Sequence, residues 1–154
     1  MKVLSIRQPN AYAILRLGKN VENRANRKGQ DAARKQFTHT GPLLIHSSQP
    51  LAPVEDFRDI ERISGRPLPT LGSSDPATQL GAVIGIVTVS MVHTADSCST
   101  SRDGRCSPWA RPDCAHLMVS EPRVLAHPIY LPGRLGLWSI DDPLVLAAIS
   151  RELA

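Results

Sequence analysis

The sequence predicts an α+β fold in which a small mixed or antiparallel β-barrel carries about two to three packed helices. The sequence contains about six or seven short apolar segments of strand length and about two or three segments with apolar residues at helical spacing. The two kinds do not alternate strictly along the chain. The most strand-like segment, residues 81–94, is rich in Val, Ile and Thr and contains Gly81 and Gly85. Such a segment is typical of a long strand that bends within a small closed barrel.

The composition fits one domain spanning residues 1–154 with a real hydrophobic core. Of these 154 residues, 42% are hydrophobic, which indicates a globular chain rather than a disordered one. The formal net charge of +4 suits an anionic partner such as RNA or DNA, but a basic protein without such a partner can have the same charge. Two Trp, two Tyr and two Phe are too few for a long base-stacking platform, although one base could stack.

The sequence also predicts where the protein resides. No apolar run approaches the ~18 residues of a membrane span, and the N-terminus lacks the apolar stretch and cleavage site of a signal peptide. These absences predict a cytoplasmic protein without membrane association. Three cysteines, an odd number, do not indicate a disulfide framework.

The first predicted elements are a strand, a helix and a second, unusually polar strand. Residues 2–7 are predicted to form the first strand, and residues 9–17 carry an apolar stripe at helical spacing. Pro9 fits the first turn of this helix, and Gly18 fits its left-handed end. Residues 21–24, Val-Glu-Asn-Arg, make a poor core strand because they are so polar. We therefore expect them to form the wall of a site.

A basic insertion follows at about residues 25–40. It contains one acid, Asp31, and its polarity together with Gly29 favours a mobile loop over a short helix at residues 31–37. The segment can act as an arm that contacts phosphates, or it can be a solvated loop that binds nothing. Its candidate phosphate-contacting cations are Arg27, Lys28, Arg34 and Lys35.

The middle of the chain contains a buried strand that ends in polar side chains. Residues 41–48 begin with a turn and continue as an apolar strand, which ends in His46 and two serines, the first of them Ser47. Polar groups at such an end point into a site or cap the following turn, and the sequence leaves both alternatives open. Residues 53–64 then show the spacing of an amphipathic helix.

The polar loop at residues 95–113 raises the question of a metal site. Cysteines lie in it and directly after it, and His93 and His116 flank it. Zinc ligands normally occur in pairs about two to four residues apart, whereas seven residues separate each cysteine here from the next. The sequence therefore predicts no metal site and no cofactor. The cysteines, to which we assign no role, are Cys98, Cys106 and Cys114.

The rest of the chain completes the predicted barrel and adds a terminal helix. Residues 115–119 and 123–126 are predicted to form two short strands, and residues 133–140 form the last strand. Asp142 is a suitable N-cap for a C-terminal helix at about residues 142–153.

Several segments occur in an order and spacing that resemble a known family. They are residues 4–9 (LSIRQP), Gly18-Lys19 with residues 22–24 (ENR), residues 41–48 (GPLLIHSS), residues 107–109 (SPW) and residues 136–138 (GLW). Over residues 2–140 the chain resembles the ASCH domain, a member of the PUA-like superfamily. The resemblance implies a small PUA-like β-barrel with packed helices, and a cleft beside it that binds RNA, DNA or a modified nucleoside.

The resemblance also implies catalysis in some relatives. One group resembles an amidohydrolase acting on N4-acetylcytidine through a Lys, a Thr and a Glu, and others have been proposed as nucleases. The lysine of the amidohydrolase pattern matches Lys19, but its threonine position holds Glu22, and residues 83–94, where its glutamate is expected, contain no acid. Two further positions depart from the family. Asn10 stands where many members have an aromatic residue, and residues 116–117 (His-Leu) stand where many have a tryptophan.

The implied cleft has a polar lining. Lys19 and Glu22 can converge across the preceding turn to bind a base edge or transfer a proton, or they can form a surface ion pair of little energetic consequence. Arg7 adds a forked donor beside a helix N-terminus, where anions bind. Trp109 is the best candidate for stacking on a base, whereas Trp138 is expected in the core. The remaining predicted ligand contacts are Gln8, Arg24, His46 and Ser47.

Three functions are compatible with the sequence. The first is a nucleic-acid-binding module, with RNA favoured, or a binder of a modified nucleoside. The second is a hydrolase that uses Lys19 and Glu22, similar either to the N4-acetylcytidine amidohydrolase or to a ribonuclease. The third is a protein-interaction domain, for which the sequence names no partner.

Overall fold

The computed structural model of the protein describes residues 1–98 and 105–154. Its strands, in chain order, are β1 (Lys2–Arg7), β2 (Val21–Arg24), β3 (Gly41–Ser48), β4 (Ala82–Thr94), β5 (Ala115–Tyr130) and β6 (Leu137–Ser139). Its α-helices are α1 (Asn10–Arg16), α2 (Gln30–Gln36), α3 (Val54–Ser64) and α4 (Pro143–Leu153). No helix in these two ranges is long and apolar enough to cross a membrane.

The six strands form one mixed sheet in the order β2-β5-β4-β3-β1-β6. Strand β1 runs parallel to β3, and all the other pairs are antiparallel. The sheet curls, so that Arg24 on the edge strand β2 reaches β1, where its Nη2 donates to the Ser5 carbonyl oxygen at 2.8 Å. The predicted α+β class and barrel-like sheet are therefore confirmed, with the sheet forming a partial barrel.

The two longest strands bend because their pairing is irregular. The β4–β5 register shifts at three places, one of them next to Gly85, where an added Cβ would lie 2.6 Å from Leu15 Cδ2. The prediction of two separate strands at residues 115–119 and 123–126 was wrong, since β5 continues through this region. Glu121, with φ of 52°, lies within the strand, so the Glu-Pro pair marks an irregularity in β5 and does not end it.

The basic insertion contains a helix rather than only a mobile loop. Helix α2 forms there although its sequence is polar, because Ala33 and Phe37, four residues apart on one face, are both buried. The expectation of a mobile loop was therefore wrong, and the described ranges contain four α-helices instead of two to three.

The core lies on both faces of the curled sheet. One cluster joins α1 to the inner face and includes Leu4, Ile14 and Leu117. A second cluster packs α4 on the other face through Ile149 and includes Trp138, as predicted. The Asp142 carboxylate caps α4 by accepting from the backbone N–H groups of its first turn, which confirms the predicted C-terminal helix and its cap.

Candidate functional site

A chain of buried charged groups lies where α1 passes into β2. Lys19 Nζ lies 3.1 Å from Glu22 Oε2, and Arg24 Nη2 lies 3.0 Å from Glu22 Oε1. The Lys19 and Glu22 side chains are only 5% and 7% exposed. The structure thus brings together three of the residues singled out in the sequence and gives the carboxylate a cation on each of its oxygens.

Local backbone geometry explains why these side chains converge. Helix α1 ends at Arg16, Gly18 after it has a φ of 74°, and the Lys19 N–H then donates to the Ala13 carbonyl at 3.1 Å. This turn redirects the chain into β2, so Lys19 points to the same side as Glu22 despite the odd spacing between them. Burial lowers the pKa of Lys19, against the opposing effect of the Glu22 carboxylate.

Three residues that the sequence analysis did not assign to a site extend this chain of contacts. Asn10 Oδ1 accepts from Lys19 Nζ at 2.6 Å, and Asn10 Nδ2 donates to Asp56 Oδ2 at 2.6 Å. Arg111 Nη2 then donates to Asp56 Oδ1 at 2.9 Å. One signal was available, because Asp56 precedes the core residue Ile60 by four positions and so lies on the buried face of α3.

A large cleft with a volume of about 670 Å³ opens beside this chain of contacts. Glu22, Arg24 and Asn10 form part of one wall, and the exposed residues Arg7 and Arg134 lie at its edge. A volume of this size suits a small organic ligand. Carboxylate, amide and guanidinium groups therefore face a space large enough for a nucleoside.

His46 forms part of the cleft lining. Its Nε2 donates to the Leu131 carbonyl at 3.0 Å, which leaves Nδ1 as a buried acceptor without a partner among residues 1–98 and 105–154. Burial lowers the pKa of His46. Gly133 packs against the ring so closely that an added Cβ would lie 2.7 Å from Nδ1. Buried polar atoms without partners are rare and are often found at functional sites.

A second cavity of about 300 Å³ lies on the other side of Lys19. Its wall is the loop that carries Trp109 and Arg111, which Asn23 of β2 holds in place. Asn23 Nδ2 donates to the Trp109 carbonyl at 2.9 Å, and Asn23 Oδ1 accepts from the Arg111 N–H at 2.9 Å. The Lys19–Glu22 pair therefore separates two cavities, and Glu22 faces the larger one while Lys19 faces the smaller.

Besides Lys19 and the residues of the basic insertion, three predicted contacts do not line the large cleft. Gln8 is fully buried; its Nε2 donates to the Ala77 carbonyl at 2.8 Å and its Oε1 accepts from the Tyr12 N–H at 3.0 Å, so it anchors the start of α1. Ser47 is fully buried in β3. Trp109 packs in a core cluster with Val21 and its neighbours, so little of its ring is free to stack on a base.

The predicted basic residues lie on and before α2. The Arg24 guanidinium lies 5.3 Å from the centre of the Phe37 ring, directly after α2, and Phe37 lies against Gly136 of the cleft lining. The segment thus adjoins the cleft through Phe37. Its four candidate cations are exposed: Arg27, Lys28, Arg34 and Lys35.

Comparison with known proteins identifies the fold. A crystal structure of a mutant of the ZmASCH protein from Zymomonas mobilis matches with a TM-score of 0.51 and 12% sequence identity, covering 97% of this chain and 96% of that chain. The chain has the ASCH-domain fold. The fold covers nearly all of both chains, as the resemblance at residues 2–140 implied. No family model matches the sequence, and no curated protein matches it.

Proposed function

We propose that this ASCH-fold protein binds RNA and places one nucleotide unit in the large cleft. The observation that carries the proposal is the combination of a nucleoside-sized cleft, a buried carboxylate in its wall and exposed arginines at its edge. A cleft of this size holds one unstacked base rather than a duplex, and proteins recognise RNA sequence mostly in such single-stranded segments.

The chemistry of the lining supports a base in the cleft and phosphates at its edge. A Glu carboxylate accepts hydrogen bonds from a base amino group, such as N4 of cytosine, and Glu22 faces the cleft with such oxygens. The forked guanidinium groups of Arg7 and Arg134 suit phosphate oxygens. The exposed cations of the 25–40 segment extend this positive surface beyond the cleft.

Binding of a single-stranded RNA oligomer, followed by fluorescence anisotropy over a range of salt concentrations, tests the proposal. Each phosphate contact contributes about 0.7 to the slope of log affinity against log salt for a single strand. The double variant Arg34→Ala/Lys35→Ala is expected to reduce that slope by about 1.4 if both residues contact phosphates. Arg134→Ala is expected to weaken binding, whereas Arg151→Ala on α4, which removes the same charge from a residue outside the cleft lining, is expected to leave it unchanged.

Two results would contradict RNA binding at this cleft. One is an affinity that does not change between low and high salt. The other is an equal loss of affinity in Arg134→Ala and Arg151→Ala, which would indicate nonspecific attraction by net charge. Absence of binding to any nucleic acid or nucleoside would favour a protein-interaction domain instead.

A hydrolase is the second candidate, and one observation favours it. The buried Lys19, whose pKa burial lowers, contacts the cleft-facing Glu22, and such pairs of titratable groups occur in acid–base catalysis. Because Lys19 does not line the large cleft, Glu22 would exchange the proton with the substrate and Lys19 would position it. Mass spectrometry of N4-acetylcytidine and RNA oligomers incubated with the protein tests this: activity lost in Glu22→Gln would support it, and no turnover by the unaltered protein would contradict it.

A further inference from the structure

Four side chains with metal-binding atoms meet at the far end of the long β4–β5 pair. His93 near the end of β4 lies directly opposite His116 near the start of β5. Cys98 follows the short 3₁₀ turn Ala95–Ser97, and Cys106 lies in the loop before Trp109. Their ligand atoms, one from each residue, all lie within 4.8 Å of one another. None of the four lines the large cleft, so the cluster is separate from the proposed RNA site.

Four distances within the cluster lie within about 0.4 Å of those around a tetrahedral zinc ion. Cys98 Sγ lies 3.1 Å from His116 Nδ1 and 3.2 Å from His93 Nε2. The two ring nitrogens, His93 Nε2 and His116 Nδ1, are 3.4 Å apart, and Cys106 Sγ lies 3.4 Å from His116 Nδ1. Tetrahedral zinc with its usual bond lengths separates a sulfur from a nitrogen by about 3.5 Å and two nitrogens by about 3.3 Å.

Hydrogen bonds alone satisfy this arrangement poorly. His116 Nε2 lies 2.7 Å from the Arg111 carbonyl oxygen, which can only accept, so Nε2 carries the proton and Nδ1 presents a lone pair to the cluster. Three potential donors contact that one lone pair: the thiols of Cys98 and Cys106 and the His93 ring. One lone pair in the ring plane accepts one good hydrogen bond, whereas a cation at the centre would use a lone pair from each of the four groups.

We propose that His93 Nε2, Cys98 Sγ, Cys106 Sγ and His116 Nδ1 bind one structural zinc ion. Four protein ligands of this type close the coordination sphere, as structural zinc sites require. Two thiolates balance the charge of Zn²⁺, and each thiol releases its proton to solvent on binding. The carbonyl of Arg111 is the outer partner that orients the His116 ring.

The ion would fix the loop that forms the wall of the smaller cavity. Residues 107–111 follow Cys106 directly, and Arg111 both accepts from His116 and donates to Asp56. Zinc would therefore join this loop to the end of the β4–β5 pair, in addition to its attachment to β2 through Asn23. This inference does not depend on whether the protein binds RNA.

Metal analysis of the full chain tests the proposal. Protein purified under reducing conditions and supplied with zinc is expected to retain one zinc ion per chain after gel filtration. Co²⁺ added to the metal-free protein is expected to give the visible bands of a tetrahedral site and a thiolate-to-metal charge-transfer band. Loss of a residue that only orients a metal ligand weakens metal binding by roughly 10–100-fold. Cys98→Ser and Cys106→Ser each remove a ligand, so each is expected to weaken zinc binding by more than that.

Cys114 provides the matched control because it is also buried and free but lies outside the cluster. Cys114→Ser is expected to keep the zinc content and the Co²⁺ spectrum unchanged. The proposal is overturned if the reduced, unaltered protein retains no zinc and gives no charge-transfer band, or if Cys114→Ser loses zinc as fully as Cys98→Ser. If the ligand variants do not fold, the Co²⁺ titration of the unaltered chain decides the matter alone.

Discussion

Replacement of Glu22 by Gln tests whether the buried charges beside the cleft form an energetically coupled unit. The substitution keeps the shape of the side chain but removes the charge that faces Lys19 at 3.1 Å and Arg24 at 3.0 Å. Because Lys19 is almost fully buried, it would become a buried cation without a counter-charge. Breaking a buried pair in this way costs about 3–5 kcal/mol.

That loss is measurable for a chain of this length. At about 2–4 °C per kcal/mol, the midpoint of thermal unfolding of Glu22→Gln is expected to fall by roughly 6–20 °C. The pKa of Lys19, already lowered below its ordinary value of 10.5 by burial, would fall further without Glu22. Since the unfolded chain then binds a proton that the folded chain does not, the deficit of the variant should shrink as the pH rises toward 10.5.

Denaturant unfolding of a double-mutant cycle separates this effect from loss of packing. Lys19→Met removes the cation, so Lys19→Met/Glu22→Gln should cost less than the sum of the two single variants, by about 0.5–3 kcal/mol. Arg62→Gln on α3, which breaks the exposed pair with Asp59, serves as the control and should cost no more than about 1 kcal/mol. A Glu22→Gln deficit as small as that of the control, with an additive cycle, would show that Lys19 and Glu22 behave as a solvated surface pair.

Three further substitutions test other features of the fold and cleft. Gly133→Ala, whose new Cβ would collide with the His46 ring, should lower the free energy of unfolding by about 1–3 kcal/mol and weaken ligand binding; unchanged binding would place the ligand elsewhere. Burial lowers the pKa of His46, so the unfolded chain takes up a proton at this residue more readily than the folded chain does. The free energy of unfolding should therefore decrease as the pH falls below about 6.5. His46→Gln should flatten that part of the curve of melting temperature against pH. Asp142→Ala removes the N-cap of α4 and should lower the free energy of unfolding, measured with denaturant, by about 0.5–2 kcal/mol. No change would mean that the first turn of α4 is already frayed in the unaltered protein.

The parts of the fold that the sequence predicted are those with a local signal. Residues 81–94 predicted β4 almost to the residue, because β-branched side chains fill that strand. Asp142 correctly marked the start of the last helix. The sequence-based predictions were wrong at α2 and at Glu121, because the local structure there depends on contacts with residues far along the chain. Ala33 is buried only because the curled sheet lies beneath it, and β5 continues past Glu121 only because β4 pairs on both sides.

The candidate site was predictable in its centre and not in its surroundings. Residues 21–24 were predicted to form the wall of a site because they are too polar for a core strand, and Lys19 matched the lysine of the family pattern. Asn10 was noticed only as a departure from the family pattern, although its amide joins Lys19 to Asp56. Seven residues between neighbouring cysteines argued against a metal site, yet four residues separate His93 from Cys98, a pair that a count of cysteines alone overlooks. His116 lies close to this pair only because β4 pairs with β5.

The order of strands has a consequence for self-association. The two strands that end the sheet are the shortest, since β2 has four residues and β6 has three. A strand from another molecule could form main-chain hydrogen bonds along only a few residues at either edge. Very short edge strands discourage edge-to-edge aggregation. The shortness of the two outer strands thus protects the sheet from the fibre-like stacking to which long exposed strands are prone.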